Sequence, residues 1–111
     1  MSKSSITTEA RPFRAWPPIH PGEILREEFL EPLKLRPYTL AKRLDTSRAR
    51  MERLVREEVP VTVDTALRLS RFFGTSPEFW LNLQQMYDLT VAEKTSADAL
   101  ASIEPLQQSA A

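Results

Sequence analysis

The sequence predicts an all-α domain of five helices, and three observations carry that prediction. Helix-start signals recur along the middle of the chain, each a proline or hydroxyl residue ahead of apolar residues spaced three and four apart. No segment shows sustained apolar–polar alternation with β-branched enrichment; residues 59–63 are the one candidate for extended backbone, and Pro60 interrupts them. The 111 residues, 41% of them hydrophobic, suffice for one domain with a small core, and self-association would let such a chain bury more apolar surface.

Three regions are expected: an N-terminal arm over residues 1–18, holding Pro12, Pro17 and Pro18; a helical domain over residues 19–89; and a tail over residues 90–111, rich in Ala, Ser and Thr. The first helix is predicted to start at Pro21, because a first-turn N–H would be unpaired there anyway. Glu23 suits the positive end of the helix dipole. Leu25, Phe29 and Leu33 give one apolar face, and Pro32 predicts a kink or an end near that point. The second helix is predicted from Pro37 to about Leu44, with Leu40, Ala41 and Leu44 inward. Asp45 then falls where the chain must turn, and Asp tolerates the left-handed conformation better than most residues.

Thr46 and Ser47 offer a cap for a third helix, whose Met51, Leu54 and Val55 face inward. That leaves Arg48, Ala49, Arg50, Glu52, Arg53 and Arg56 outward. Thr62 caps a fourth helix containing Ala66, Leu67, Leu69, Phe72 and Phe73, which Gly74 closes. Ser76, Pro77 and Glu78 start the fifth, which holds Phe79, Trp80, Leu83, Met86 and Tyr87. In the tail, Ser96 is a candidate cap for one short helix with Leu100 and Ile103 inward.

Composition removes several function classes. Without cysteine there is no disulfide, thiol chemistry or cysteine–zinc site. His20 is the lone histidine, with no cluster of ligands around it, so no metal is expected. The carboxylates of Glu27, Glu28, Glu31, Glu57 and Glu58 have no paired nucleophile, and two glycines cannot build a phosphate-cradling loop. The chain is therefore not expected to be an enzyme or to need a cofactor. No apolar run approaches the roughly 20 residues that span a bilayer, and no apolar signal core follows the N-terminus, so a cytoplasmic location is expected.

Formal net charge is zero, but its distribution is uneven. Residues 36–56 hold seven basic side chains against two acidic ones, a net +5. Residues 78–111 hold five acids against Lys94, a net −4. A basic face opposite an acidic end would orient the protein on a polyanion; two ordinary solvated faces are the plainer reading. Two short helices joined at residues 44–47 match a helix-turn-helix unit. In such a unit the second helix enters the major groove, so it needs long donors on its outer face. Arg48 and Arg53 lie about 140° apart on that helix, and Ala49 is placed to touch a thymine methyl. Arg50 and Arg56 are better placed for phosphates, with Ser47 at the helix start and Tyr38 and Lys42 from the preceding helix.

Residues 19–25 (Ile19-His20-Pro21-Gly22-Glu23-Ile24-Leu25) and 28–33 (Glu28-Phe29-Leu30-Glu31-Pro32-Leu33) resemble the opening of HigA-type, also called VapI-like, antitoxins. Residues 66–70 and 74–84 resemble that family's closing signature, and Tyr87-Asp88-Leu89 continues it. The resemblance covers about residues 19–89 and implies the lambda-repressor-like (XRE) helix-turn-helix fold. It further implies a homodimer that binds double-stranded DNA at a palindromic operator, represses its own operon, and neutralises a cognate RelE-like mRNA nuclease toxin by protein binding. The chain departs from the family pattern at Asp45 (usually Gly), at Arg36 and Pro37 (usually a Ser/Asn-Gln-like pair), at Ala49 (usually Gln or a small polar residue), and at Arg56 and Glu57 (a common Asn-Gly turn). These changes touch the DNA-reading face rather than the fold. A stand-alone regulator without a toxin, and an adaptor that has lost DNA, remain alternatives.

Phe79, Trp80, Leu83, Met86 and Tyr87 form a wide apolar stripe, expected to be shared between core and dimer interface. The arm contains Arg11, Phe13, Arg14 and Trp16. It could grip a partner protein as an added strand, place its arginines in a minor groove, or stay disordered.

Overall fold

Helix starts and stops along this chain are set by short-range chemistry, and the computed structural model shows it for residues 16–107. The first helix, α1, begins at Pro21, and His20 caps it: the His20 Nδ1 accepts the Gly22 N–H at 2.9 Å. It then changes pitch twice. Pro21–Ile24 is α-helical, Leu25–Leu30 winds as a π turn, and Glu31–Leu33 returns to α. Pro32 supplies the reason. It has no N–H for the Glu28 carbonyl and its ring crowds that carbonyl, and the wider turn relieves the conflict, with the Glu31 N–H reaching back to Arg26.

A π turn shifts the register by one residue. Leu30 therefore follows Leu25 into the core, and Leu33 is left 60% exposed. This corrects the expected Leu25–Phe29–Leu33 face. Phe29 remains partly buried, its ring 4.8 Å from that of Phe73 and 5.1 Å from that of Trp80.

Helix α2 spans Pro37–Leu44 and α3 spans Arg48–Val55. Their inner residues are those expected: Leu40, Ala41 and Leu44 from α2, and Met51, Leu54 and Val55 from α3. Asp45 takes the left-handed conformation at φ 55°, which lets the Thr46 N–H close back onto the Ala41 carbonyl at 3.0 Å. Ser47, rather than Thr46, caps α3, accepting the Arg50 N–H at 3.2 Å. Helix α4 spans Val63–Phe73 behind its Thr62 cap and ends at Gly74, φ 79°.

Helix α5 spans Pro77–Thr95, with the Ser76 hydroxyl accepting the Phe79 N–H, and so continues beyond residue 89. Helix α6 spans Ala97–Ala101, follows α5 directly after Ser96, and has no buried residue. Leu100 and Ile103, expected inward, are exposed, because no second layer covers α6. Leu25, Leu40, Met51, Leu54, Leu69 and Trp80 are wholly buried and join all five main helices in one core. The Trp80 indole N–H is satisfied by the Thr75 hydroxyl at 2.8 Å. No strand occurs among the described residues. Across 59–63 the backbone need is met by a side chain instead: the buried Gln84 accepts the Val61 N–H at 2.8 Å and donates to Asp88 at 2.9 Å.

Candidate nucleic-acid interface

The outward face of α3 carries Arg48, Ala49, Arg50 and Arg53, all exposed, with Arg56 just past its end. The structure sorts these arginines into two kinds. Arg48 Nε binds Glu52 at 2.8 Å, and its guanidinium lies over the Tyr38 ring at 4.7 Å; Lys42 stands over the same ring at 5.4 Å. The Arg48 hydrogen bond holds the Glu52 carboxyl below its ordinary pKa. Arg56 pairs with Glu58 at 3.2 Å. Arg50 and Arg53 have no ion pair or hydrogen-bonded acceptor among the described residues. With Ser47, Ala49 and Val59 they line a shallow depression of about 250 Å³.

Seven of the eight expected contact residues fall into two groups. Ser47, Ala49, Arg50 and Arg53 surround the depression, Tyr38, Lys42 and Arg48 form a stacked cluster beside it, and Arg56 lies at the far end. A row of guanidinium groups on the outer face of a short helix can do two things chemically. It can donate bidentate bonds to guanine O6 and N7, and it can neutralise phosphates.

Two arginines that sequence reasoning passed over hold this unit in place. Arg68 of α4 bonds Asp64 at 3.0 Å and reaches the Leu44 and Asp45 carbonyls at 2.8 and 3.2 Å, pinning the turn between α2 and α3. Arg26 of α1 donates to the Val55 carbonyl and to Glu57, pinning the other end of α3. The i,i+4 pairing of Asp64 with Arg68 was visible in the sequence; the bonds to distant carbonyls had no local signal. Gly22 brings α1 directly against α3, since a Cβ there would lie 1.9 Å from the Leu54 carbonyl oxygen.

The expected dimer stripe divides. Trp80 is wholly buried and belongs to the core. Phe79 and Met86 are 38% and 51% exposed, Leu83 is partly buried, and Tyr87 turns its ring against His20 with centroids 4.8 Å apart. Burial pushes the His20 imidazole below its ordinary pKa, against the pull of Glu57, Asp88 and the Val59 carbonyl. Of the arm residues, Trp16 is half-exposed under the Lys94 ammonium, 4.2 Å from its ring; Arg11, Phe13 and Arg14 lie outside the described residues. Among the described residues no helix is long and apolar enough to cross a membrane, and no three His, Asp or Glu side chains gather as a metal site requires.

A tight turn between two short helices, the second seated on the core by Met51, Leu54 and Val55 and cationic on its outer face, defines a helix-turn-helix protein. No protein-family model matches the chain. It is 54% identical over 78 residues to virulence-associated protein I of Dichelobacter nodosus, covering 70% of this chain and 72% of that one. It is 33% identical over 89 residues to antitoxin HigA-1 of Vibrio cholerae, covering 80% and 84%. Among solved structures, the Pseudomonas aeruginosa antitoxin HigA with the higBA promoter superposes with a TM-score of 0.79 at 44% identity, covering 81% of this chain and 99% of that one. The chain belongs to the HigA/VapI-type antitoxin family of lambda-repressor-like helix-turn-helix proteins.

Proposed function

We propose that this chain is the antitoxin of a type II toxin–antitoxin pair. In the cytoplasm, a homodimer binds a palindromic operator and represses its own operon, and the same protein neutralises a RelE-like mRNA nuclease toxin by binding it. The observation that carries the DNA half is the free cationic rim of α3: Arg50 and Arg53 line the same depression as Ala49 with no partner among the described residues. The P. aeruginosa relative solved with promoter DNA supports the same reading.

In this assignment Arg48, Ala49 and Arg53 face base edges, while Ser47, Arg50, Arg56, Tyr38 and Lys42 position the protein on phosphates. Arg48 must exchange its Glu52 bond to take part. Phe79 and Met86, flanked by Leu83 and Tyr87, form the candidate two-fold seam. Such a dimer would set the two α3 helices about 34 Å apart.

A mobility-shift assay on the DNA upstream of the chain's own gene tests this. Arg53→Ala should relax base preference at one operator position by about 1–3 kcal/mol. Arg56→Ala should weaken all sequences alike and lower the salt slope by about 1. If both variants bound the operator as the parent does, the assignment would be wrong.

A further inference from the structure

Arg26 sits on α1, outside the α2–α3 pair, yet its guanidinium is spent on the end of α3. One nitrogen donates to the Val55 carbonyl; the other binds Glu57 at 3.0 Å and Glu27 at 3.2 Å. The last carbonyls of a helix have no partner within it, and here three in a row are supplied from outside. The Arg53 carbonyl accepts the Glu58 N–H at 2.9 Å, the Leu54 carbonyl accepts the Glu57 N–H at 2.9 Å, and the Val55 carbonyl accepts Arg26. The bond from Glu58 back to Arg53 depends on Glu57 taking the left-handed conformation at φ 65°, and Arg26 holds the Glu57 side chain. On the other side of the same turn, Gly22 admits the Leu54 carbonyl to within van der Waals contact of α1.

We propose that Arg26 is a positioning residue for operator reading: it fixes the carboxyl end of α3 and thereby the depth and angle at which Arg53 enters the groove. The inference rests on the operator-binding reading above. An eight-residue helix is too short to hold itself rigid; Met51, Leu54 and Val55 seat its inner face on the core, and what grips its ends completes its aim. Ser47 caps the amino end internally; the carboxyl end is gripped by Arg26 across 29 residues of sequence. Arg26 itself touches no DNA in this scheme, and that separates it from the α3 arginines.

The test compares Arg26→Met, Arg26→Lys and Glu57→Gln with the parent protein on operator DNA and on a scrambled duplex across a salt series, below the melting temperature of each variant. Arg26→Met keeps the apolar stem and loses the donors. It should lower the preference for operator over scrambled DNA by at least about fivefold, the low end of one bidentate guanine contact. Affinity for the scrambled duplex and the salt slope should not change. Arg26→Lys should recover part of the preference, and Glu57→Gln, which spares the Val55 bond, should lose less of it. An unchanged preference in Arg26→Met would overturn the assignment. So would an equal loss on both duplexes with a slope lower by about 1, the mark of a direct phosphate contact. If Arg26→Met does not fold, Glu57→Gln carries the same two criteria. A parent protein with no preference for the operator would overturn the operator reading together with this assignment, whereas failure in the variants alone overturns only the role of Arg26.

Discussion

Replacing Gly22 by alanine is the sharpest mechanical test of how α3 is held. A Cβ at this position would lie 1.9 Å from the Leu54 carbonyl oxygen, 3.0 Å from its carbon and 3.2 Å from the His20 Nδ1. An ordinary carbon–oxygen contact is well above 3 Å, so α1 and α3 must part by more than roughly 1 Å. The obstacle is backbone, which cannot rotate away as a side-chain tip could. Overpacking of this kind costs about 1–3 kcal/mol, and separating the helices also disturbs the His20 cap, worth about 1 kcal/mol. Against this, alanine gains up to about 1 kcal/mol over glycine in a helix. The net expectation is a loss of about 2 kcal/mol, or roughly 10 °C in melting temperature for a domain of this size. Urea denaturation and thermal melting both read it. A variant as stable as the parent, or more stable, would refute the close approach of α1 to α3 and with it the account of what fixes the reading helix.

Asp45→Gly should stabilise the fold by about 0.5–1 kcal/mol, since the left-handed strain of a side-chain-bearing residue outweighs the extra freedom of glycine in the unfolded chain; a drop in the urea midpoint would contradict this. Gln84→Leu leaves the buried Val61 N–H without its acceptor and should cost about 1–3 kcal/mol, read as a lower midpoint with an unchanged denaturant slope. The depressed pKa of His20 makes stability pH-dependent with a definite sign. Between its folded pKa and the ordinary value of 6.5 the unfolded chain binds the extra proton, so stability is full above that value, declines as pH falls through the window, and levels off below the folded pKa. Urea midpoints at about pH 7.5 and 5.5 should differ in the parent and converge in His20→Asn, which keeps a good capping residue without a titrating ring; an equal slope in both proteins would place the proton uptake elsewhere.

Where the sequence spoke through local chemistry, the structure follows it closely. Pro21, Pro37, Ser47, Thr62 and Ser76 mark helix starts, and Asp45 and Gly74 mark left-handed stops, because caps and turns depend on atoms within four residues of each other. The reading failed where geometry departs from a 3.6-residue repeat or depends on distant partners. The π turn at residues 25–30 moved Leu30 inward and Leu33 outward, and no periodicity count anticipates an inserted residue. The outward set on α3 was legible from its inner stripe of Met51, Leu54 and Val55. The i,i+4 spacing of Arg48 and Glu52 was legible too; the stacking of Arg48 on Tyr38, and the grip of Arg26 and Arg68 on distant carbonyls, were not. An arginine at the surface looks the same in sequence whether it waits for a ligand or already braces the backbone.

For the proposed operator binding, the two acids that accompany the outer face of α3 have a kinetic meaning. Glu52 and Glu58 travel with Arg48 and Arg56 as built-in counter-charges, so of the four arginines along this edge an arbitrary stretch of duplex meets two open ones. Loose encounters with genomic sequence would be correspondingly short-lived. A site whose groove drew Arg48 off its carboxylate would hold the protein longer than one that left the pair in place.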